Sequence, residues 1–446
     1  METQSASRVT MDAATDQESV ATFLDSVLAE TGWEVSKVRT RGTRLDPPDW
    51  FWTTFAVDVY KDGEHRDLRM VAKGALNPDA WSRLSEKLMD RGAGKRCDPI
   101  NGVGYPVLFP KTQHAYWFYP YDPRMPNLPL AADPVRMAPI LLGLDEDPSE
   151  VLASARRIDI ERVRYTPEIG AILCYTIDVR GHPSKIYGKV QPGHRGLRTY
   201  NVVEGLWRAA AHYPGYLNLP RPLGYVEEIG LLLEEGVKGR PVGNRRTSAE
   251  YVMMPTAAAE ALAVIHESQV ESDERIDIES ELGRLDRVVE QFAYVLPNGH
   301  FLLKDLVTHM REAVRKTRAE DWLPTHGDLK YDQFMFHNDQ FTLLDFDYFA
   351  LAETSYDLGK FCAYLIPSNP MDWTESVAAE EARAEFIRRY RELRPLATLQ
   401  RFGVYESLQL ALRAMAFMWA QSRGWERIAE TFLVLAFERL KSRLPG

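Results

Sequence analysis

Two short segments in the C-terminal half carry the polar side chains best suited to chemistry. The first is THGDLKYDQF, residues 325–334, and the second is FTLLDFDYF, residues 341–349. Between them stands HNDQ, which predicts a tight turn joining two short apolar strands. Asp328 would then precede this hairpin and Asp345 would follow it, so that both carboxylates meet at its open end. Gln333, five residues after Asp328, adds an amide oxygen.

Oxygen ligands of this kind suit Mg²⁺, which commonly takes one or two carboxylates together with phosphate oxygens of a substrate. A further carboxylate is able to orient a hydroxyl group and to accept its proton. The alternative is a charged surface turn, because an isolated His-Gly-Asp tripeptide is common by chance. Three oxygen-bearing side chains around two apolar strands favour a functional site over that alternative.

A set of motifs in a fixed order resembles a known family. HGD is followed by an amide five residues later, by an Asp after a short apolar strand, and then by YDLGKF. Together these motifs resemble the aminoglycoside phosphotransferase and choline-kinase-like family, over about residues 160–446 of this chain. The resemblance implies an ATP- and Mg²⁺-dependent kinase whose acceptor is a hydroxyl of a sugar, an aminoglycoside or an amino alcohol.

The resemblance also implies a role for each residue of the site. Asp328 would be the catalytic residue that orients the acceptor hydroxyl, and Asp345 would hold Mg²⁺. His326 and Asp357 would brace the loop. Gln333 would be a second metal ligand, although most of the family has Asn there. Gln at this position resembles the residue found in maltokinase-like members of the family. The expected substrate therefore shifts toward sugars.

Two residues of the same segments leave alternatives open. Asp347 is either an additional metal ligand or a strand residue that faces solvent. Lys330 either reaches a phosphate group or offsets the local carboxylates. The sequence favours neither member of each pair.

The residues that handle nucleotide are expected on an earlier set of strands. Lys189 in IYGKVQ has apolar neighbours, which predict a buried strand where a lysine needs a partner. The resemblance implies that Lys189 contacts the phosphates and that Glu204, in the next helix, fixes this lysine. It also places TPEIGAI, residues 166–172, at the nucleotide loop, and the backbone near Glu234 and Glu235 at the adenine.

The N-terminal part of the chain contains a similar strand pattern. VRT, WTTFAVDVYKDG and MVAKG match VRY, LCYTIDVRGH and IYGKV in strand, turn, strand and terminal Lys. An internal duplication is one explanation, and the general likeness of twisted hairpins is the other. Lys73 is the counterpart of Lys189, and we predict it to be a solvated lysine at a strand end. Residues 1–150 contain no motif that predicts chemistry.

The order of the elements predicts the fold class. Strand-rich segments precede helix-rich ones, which is typical of an α+β protein. The resemblance implies a protein-kinase-like bilobal fold, with a small β-rich N-lobe and a large helical C-lobe, preceded by an extra α+β domain. The predicted divisions are a disordered tail at 1–15, a cap domain at 16–150, a small lobe at 151–240 and a helical lobe at 241–446.

Composition excludes several classes of function. The chain has 446 residues, 45% of them apolar, and a net charge of −10, which argues against nucleic acid as the main partner. It lacks the run of about 18 apolar residues that predicts a membrane helix. Three scattered cysteines and an N-terminal stretch unlike a signal peptide favour a reducing, cytoplasmic compartment. The oligomeric state is left open.

A catalytically silent kinase-like protein that binds nucleotide or a partner is the alternative function. Its support is Gln333 in place of Asn and a predicted nucleotide loop with a single Gly. Asp328, Lys189 and Asp345 favour the enzyme, because a module that only binds has no need of all three.

Overall fold

The computed structural model describes residues 14–29, 31–46, 49–93, 97–98, 103–143, 158–179, 182–243, 247–370, 373–420 and 423–441. The chain forms two compact units. Unit 1 comprises residues 1–194 and 226–231, and unit 2 comprises residues 195–225 and 232–446. The predicted tail lies outside the described residues except for its last two positions. The predicted domain boundaries at 150 and 240 stay predictions.

Unit 1 begins with an antiparallel sheet in the strand order β1-β2-β3-β7-β6. The strands in this part of the chain are β1 (Glu34–Asp46), β2 (Trp50–Lys61), β3 (Glu64–Ala75), β4 (Cys97–Asp98), β5 (Val103–Gly104), β6 (Val107–Phe109) and β7 (His114–Phe118). Asp62 and Gly63 form the turn that joins β2 to β3. Their φ angles of 51° and 85° are the positive values that a two-residue hairpin turn requires.

Helix α1 (Gln17–Leu28) covers one face of this sheet. Asp16 caps it by accepting the backbone N–H of Ser19, which satisfies an otherwise unpaired donor. Phe23 and its apolar neighbours one helical turn away pack against Phe55 and Met70 of the sheet. The remaining helices of unit 1 are α2 (Pro78–Asp90), α3 (Leu128–Ala131) and α4 (Pro134–Leu142).

A second antiparallel meander in unit 1 repeats the pattern of β1–β3. It consists of β8 (Ile158–Thr166), β9 (Gly170–Val179) and β10 (His182–Val190). In both meanders the first strand contains an irregularity of register, and the third strand carries a lysine near its end, Lys73 or Lys189. The shared topology agrees with a duplication, but similar hairpins would produce it as well, so both explanations stay open.

From residue 195 onward the chain is mainly helical. Its strands are β11 (Pro222–Val226), β12 (Leu231–Glu235), β13 (Arg240–Pro241), β14 (Arg275–Ile276), β15 (Trp322–Thr325), β16 (Phe334–His337), β17 (Gln340–Leu343) and β18 (Ala350–Glu353). Its helices are α5 (Arg195–Ala210), α6 (Ser248–Glu267), α7 (Ile278–Val295), α8 (Pro297–Lys316), α9 (Ser355–Leu365), α10 (Trp373–Leu393), α11 (Phe402–Ala420) and α12 (Trp425–Lys441). This order of strand-rich and helix-rich segments confirms the predicted α+β class.

The hairpin β16–β17 is anchored in the core of unit 2. Phe334 and Phe341 are buried in the same apolar cluster as Phe361 of α9 and Phe386 of α10. Large aromatic side chains at these positions fix the hairpin, because each buries much apolar surface. The polar residues on either side of the hairpin are therefore held by a rigid support.

Among the described helices, none has the length and apolarity that crossing a membrane would require. The predicted cytoplasmic location stays a prediction.

Candidate active site

The HGD segment begins where β15 ends, directly after Thr325. Gly327 has a φ of +79°, and a Cβ on this residue would lie 1.9 Å from the carbonyl oxygen of Tyr348. Glycine alone tolerates both this backbone conformation and this close approach. The glycine of the motif is therefore required for the turn that presents Asp328.

Asp357, at the start of α9, fixes the backbone of the HGD segment. Its carboxylate is fully buried and accepts the backbone N–H of His326 at 2.6 Å and that of Gly327 at 3.1 Å. Burial raises the pKa of Asp357, while the two backbone N–H groups and the charge of Lys360 favour its charged form. These contacts are the ones that the predicted bracing role needs.

His326 links the turn to the end of the hairpin. Its Nδ1 accepts the backbone N–H of Asp328 at 3.2 Å, and its Nε2 lies 2.9 Å from the carbonyl oxygen of Leu344. A ring that accepts through Nδ1 and donates through Nε2 is a neutral imidazole. The histidine thus connects the residue before Asp345 to the loop that carries Asp328.

Asp328 is the centre of a cluster of donors. Its Oδ1 lies 2.7 Å from Lys360 Nζ, and its Oδ2 lies 3.0 Å from Gln333 Nε2 and 3.1 Å from Lys330 Nζ. Burial alone would raise the pKa of this carboxyl group, but Lys360 and Lys330 outweigh burial, and the pKa is lowered. Asp328 is therefore an anion at neutral pH.

Lys330 pairs with carboxylates on both sides of it. Its Nζ lies 3.1 Å from Asp328 and 3.8 Å from Asp332. Burial would lower the pKa of Lys330, but these two carboxylates raise it. The contacts favour the charge-offsetting alternative for Lys330.

Gln333 and Asp345 are joined through the backbone between them. The N–H of Leu344 donates to the carbonyl oxygen of Gln333 at 2.8 Å, which places Asp345 at the next position along. Asp345 has a φ of +67°, an uncommon conformation for a residue other than glycine. Burial raises the pKa of nearby Asp332, and the charges of Asp328 and Asp345 add to that effect, so these carboxylates share one electrostatic environment.

The predicted frame of the site is confirmed. Strands β16 and β17 are antiparallel, with Phe334 opposite Leu343 and His337 opposite Gln340. The loop with Asp328 precedes the first strand, and Asp345 follows the second. The structure thus gathers the HGD loop, the amide and the end of the hairpin into one region of unit 2.

Asp347 stands two residues after Asp345. It is half-buried and lies in a turn beyond β17, not in a strand. Its carboxylate accepts the hydroxyl of Thr199 at 3.5 Å, and its carbonyl oxygen lies 3.5 Å from Arg198 Nη2. These contacts connect it to α5, and its predicted part in metal binding stays a prediction.

The donor set around the hairpin fits a magnesium ion that also binds phosphate. Within the described residues, no group of three or more His, Cys, Asp or Glu side chains forms a complete metal site. Asp345 supplies a carboxylate, and Gln333 retains its amide oxygen because its Nε2 is the atom that donates to Asp328. One carboxylate and one amide leave several positions for water and phosphate oxygens, which is the coordination that Mg²⁺ prefers.

Four residues are predicted to contact nucleotide, and the structure gives their positions. Lys189 is buried in β10 of unit 1, as its apolar neighbours predict. Glu204, on α5 in unit 2, accepts from Arg208 Nη2 at 2.6 Å, one helical turn away. Glu234 and Glu235 end strand β12, and the N–H of Glu235 donates to the carbonyl oxygen of Arg221. The nucleotide roles of these four residues stay predictions.

The prediction that Lys73 is a solvated strand-end lysine is wrong. Its side chain is 11% exposed and forms an ion pair with Glu168, which lies in the predicted nucleotide loop. Its ammonium group also lies 4.8 Å from the ring centre of Trp50 and 5.8 Å from that of Trp52. Sequence separation hid this pairing, because Lys73 and Glu168 are 95 residues apart.

Lys360 is a site residue that the sequence did not single out. It stands in the YDLGKF motif, three residues after Asp357, and its Nζ also donates to the carbonyl oxygen of Gly327 at 3.0 Å. Burial would lower the pKa of Lys360, but Tyr356 and Asp328 raise it. The available signal was a lysine inside an otherwise apolar helix, since such a residue needs a buried partner.

An anionic carboxylate on a braced loop, followed by an amide and then by a second carboxylate, is the arrangement of phosphoryl-transfer enzymes with a protein-kinase-like fold. A comparison with family models agrees. Residues 205–396 match the model of the phosphotransferase enzyme family, abbreviated APH, so this segment is similar to that family. The matched segment contains Asp328, Gln333, Asp345 and Asp357. The predicted family is confirmed, while the maltokinase-like branch stays a prediction.

Comparisons with whole proteins give shape likenesses at low sequence identity. No curated protein matches the chain. A choline kinase from Cryptosporidium parvum Iowa II is 11% identical, with a TM-score of 0.46, over 68% of this chain and 94% of that one. A choline/ethanolamine kinase family protein from Mesorhizobium loti is 13% identical, with a TM-score of 0.44, over 64% and 88%. An amicoumacin kinase with bound AMP-PNP and Ca²⁺ is 13% identical, with a TM-score of 0.46, over 67% and 95%.

Proposed function

We propose that this phosphotransferase moves the γ-phosphoryl group of ATP, with Mg²⁺, to a hydroxyl group of a small molecule. The acceptor belongs to the sugars, the aminoglycosides or the amino alcohols. The observation that carries the proposal is the anionic Asp328, held between Lys360, Lys330 and Gln333 on a loop that Asp357 and His326 brace.

Asp328 acts chiefly by positioning. A carboxylate whose pKa is lowered is a weak base, so it gains little by removing the proton early. It accepts a hydrogen bond from the acceptor hydroxyl and aligns the oxygen for in-line attack. Alignment of this sort is a large part of catalysis in phosphoryl transfer, which asks little covalent chemistry of the protein.

Asp345 and Gln333 would hold the metal ion. Mg²⁺, when bound, neutralises charge on the phosphate oxygens. Asp345 supplies the charged ligand, and Gln333 supplies a neutral oxygen while its N–H group keeps Asp328 in place. The same amide thus connects the metal ligands to the residue that orients the acceptor.

Lys189 would contact the phosphates, and Glu204 would stabilise that lysine. The backbone around Glu234 and Glu235 would bind the adenine. These roles rest on the family resemblance, and Lys189 and Glu204 lie outside the segment that matches the family model. Replacing each residue singly and measuring nucleotide affinity tests them independently of Asp328.

A screen of acceptors tests the function directly. Purified protein is incubated with ATP, Mg²⁺ and a panel of sugars, aminoglycosides and amino alcohols, and ADP release is measured. We expect one class of acceptor to raise ADP release well above the rate without acceptor, and we expect Asp328→Asn to abolish that increase. If the protein binds nucleotide but no acceptor raises ADP release, the catalytically silent alternative is correct.

A further inference from the structure

Unit 1 contains a cleft of 180 Å³ whose walls are rich in arginine. The residues that line it include Arg41, Arg69, Arg162 and Arg164, together with Tyr165. None of the residues assigned to the phosphotransferase site lies in it. Four arginines that line so small a space call for a physical explanation, since like charges repel.

Irregularities in two strands direct these arginines to one place. Strand β1 shifts register between Thr40 and Gly42, so Arg41 is the extra residue of a bulge. Strand β8 shifts register between Arg162 and Arg164. Bulges commonly re-aim a side chain beside a functional site. Here each bulge brings at least one arginine to the cleft.

The positive charge of the cleft is only partly neutralised. Asp67 lies 2.7 Å from Arg69 Nη2 and 3.9 Å from Arg162 Nη2. Arg41 and Arg164 form no ion pair with any residue in the described part of the chain. Four arginines against this one carboxylate leave an excess of positive charge among the residues that line the cleft.

Arg69 also has a hydrogen-bond donor without a partner. Its Nη1 is buried and makes no hydrogen bond within the described residues. Burial lowers the pKa of Arg69, Asp67 opposes this, and Arg162 and Arg41 lower the pKa further. A buried donor left unpaired costs free energy, and an anionic oxygen in the cleft would remove that cost.

We propose that this cleft is a binding site for the phosphate group of a small molecule. Guanidinium groups bind phosphate through paired, charge-assisted hydrogen bonds, and Arg suits such recognition better than Lys. The unpaired Nη1 of Arg69 and the exposed guanidinium groups of Arg41 and Arg164 would supply the donors. The volume admits a phosphate and a small part of the molecule that carries it.

The cleft shares a wall with the predicted nucleotide turn. The hydroxyl of Tyr165 donates to the buried carboxylate of Asp122 at 2.8 Å, and the backbone N–H of Glu168 donates to the same carboxylate at 2.8 Å. A phosphate that steadies Arg164 and Tyr165 therefore also steadies the turn at Glu168. This consequence rests on the proposed function, whereas phosphate binding itself does not.

Binding is measured on the full chain without nucleotide, so a failure of the proposed kinase activity would leave the result unaffected. Isothermal titration with inorganic phosphate and with glucose 6-phosphate separates free phosphate from a phosphate ester. The cleft variant is the double substitution Arg41→Gln and Arg164→Gln. The matched control is Lys37→Gln and Arg136→Gln, which removes two exposed charges elsewhere in unit 1.

We expect saturable binding of at least one probe to the wild type and to the control variant. We expect binding to the cleft variant to be weaker by about tenfold or more, as the loss of two charge-assisted contacts predicts. Thermal unfolding should be alike in all three proteins, because the replaced side chains are exposed. Absence of saturable binding to the wild type, or equal weakening in both variants, overturns the proposal.

Discussion

Lys360 and Lys73, in the part of the chain that the structure describes, each form a largely buried ion pair with a carboxylate, and the two pairs differ in kind. In unit 2, Lys360 pairs with Asp328, and in unit 1, Lys73 pairs with Glu168. Their burial is similar: the exposed fractions are 12% and 16% for the first pair and 11% and 15% for the second. Burial therefore does not distinguish the pair of the proposed active site from the pair outside it.

The surroundings of the two pairs do distinguish them. Asp328 receives donors from Lys360, Lys330 and Gln333, which hold one oxygen-rich group in a fixed direction. Lys73 instead lies against the indole rings of Trp50 and Trp52, which favour its positive charge. Several donors surround the carboxylate of the first pair, whereas aromatic rings surround the lysine of the second. An anion held by several donors is suited to the proposed role of orienting a substrate, whereas a lysine enclosed by aromatic rings is suited to joining two parts of a fold.

Removing the carboxylate of the first pair should have the largest effect. We expect Asp328→Asn to lower the rate of transfer by about 10²–10⁴-fold, as for the loss of a positioning or general-base group. Asn is preferred to Ala because it keeps a hydrogen-bonding group beside Lys360 and Lys330. Steady-state kinetics, nucleotide affinity and thermal unfolding are measured together. A folded variant with near-normal turnover would remove Asp328 from the mechanism.

Removing the lysine of the second pair should affect folding and not chemistry. We expect Lys73→Met to lower the free energy of unfolding by about 3 kcal/mol, because Glu168 is left buried without its partner. Denaturant unfolding measures this value, with Lys87→Met on the exposed face of α2 as the control. If Lys73→Met is as stable as that control and transfers phosphate slowly, the contrast between the two pairs is wrong.

Substitutions of Gln333 test whether Asp328 requires an amide donor at this position. We expect Gln333→Asn to retain measurable activity, since it keeps both an amide oxygen and an N–H group. Gln333→Leu should lose about tenfold or more, because it removes the donor to Asp328 and the proposed metal ligand. Rates over a Mg²⁺ series decide it, with Gln340→Leu on β17 as the control. A Leu variant as active as the wild type would reduce Gln333 to a packing residue.

The smallest expected effect is a displacement of the pH profile. The pKa of Asp328 is lowered in the folded protein, so the stability it contributes is present above the unfolded value of about 3.9 and is lost as pH falls through the folded pKa. In Lys360→Met, burial should raise this pKa, and the acid limb of kcat/KM should move to higher pH. The exposed Lys304→Met is the control. An acid limb unchanged in Lys360→Met would show that Lys360 does not set the ionisation of Asp328.

The parts of the site that depend on short separations along the chain could be predicted from the sequence. The five-residue spacing of Asp328 and Gln333, and the turn between two apolar segments, were enough to predict the hairpin β16–β17 and the residues at its open end. Local backbone preferences fix such features, because turn residues and alternating apolar positions act within a few residues. The order of strands and helices determined the α+β class for the same reason.

The tertiary structure alone decided which charged side chains are buried and with what partner. Lys360 reaches Asp328 only because α9 packs beneath the HGD loop, and Lys73 meets Glu168 across 95 residues. The arginine cleft likewise needs β1, β3 and β8 to converge. A lysine or an arginine in a strand has the same local sequence whether it faces water or an ion-pair partner. Its surroundings are supplied by elements far away along the chain, and no local pattern specifies them.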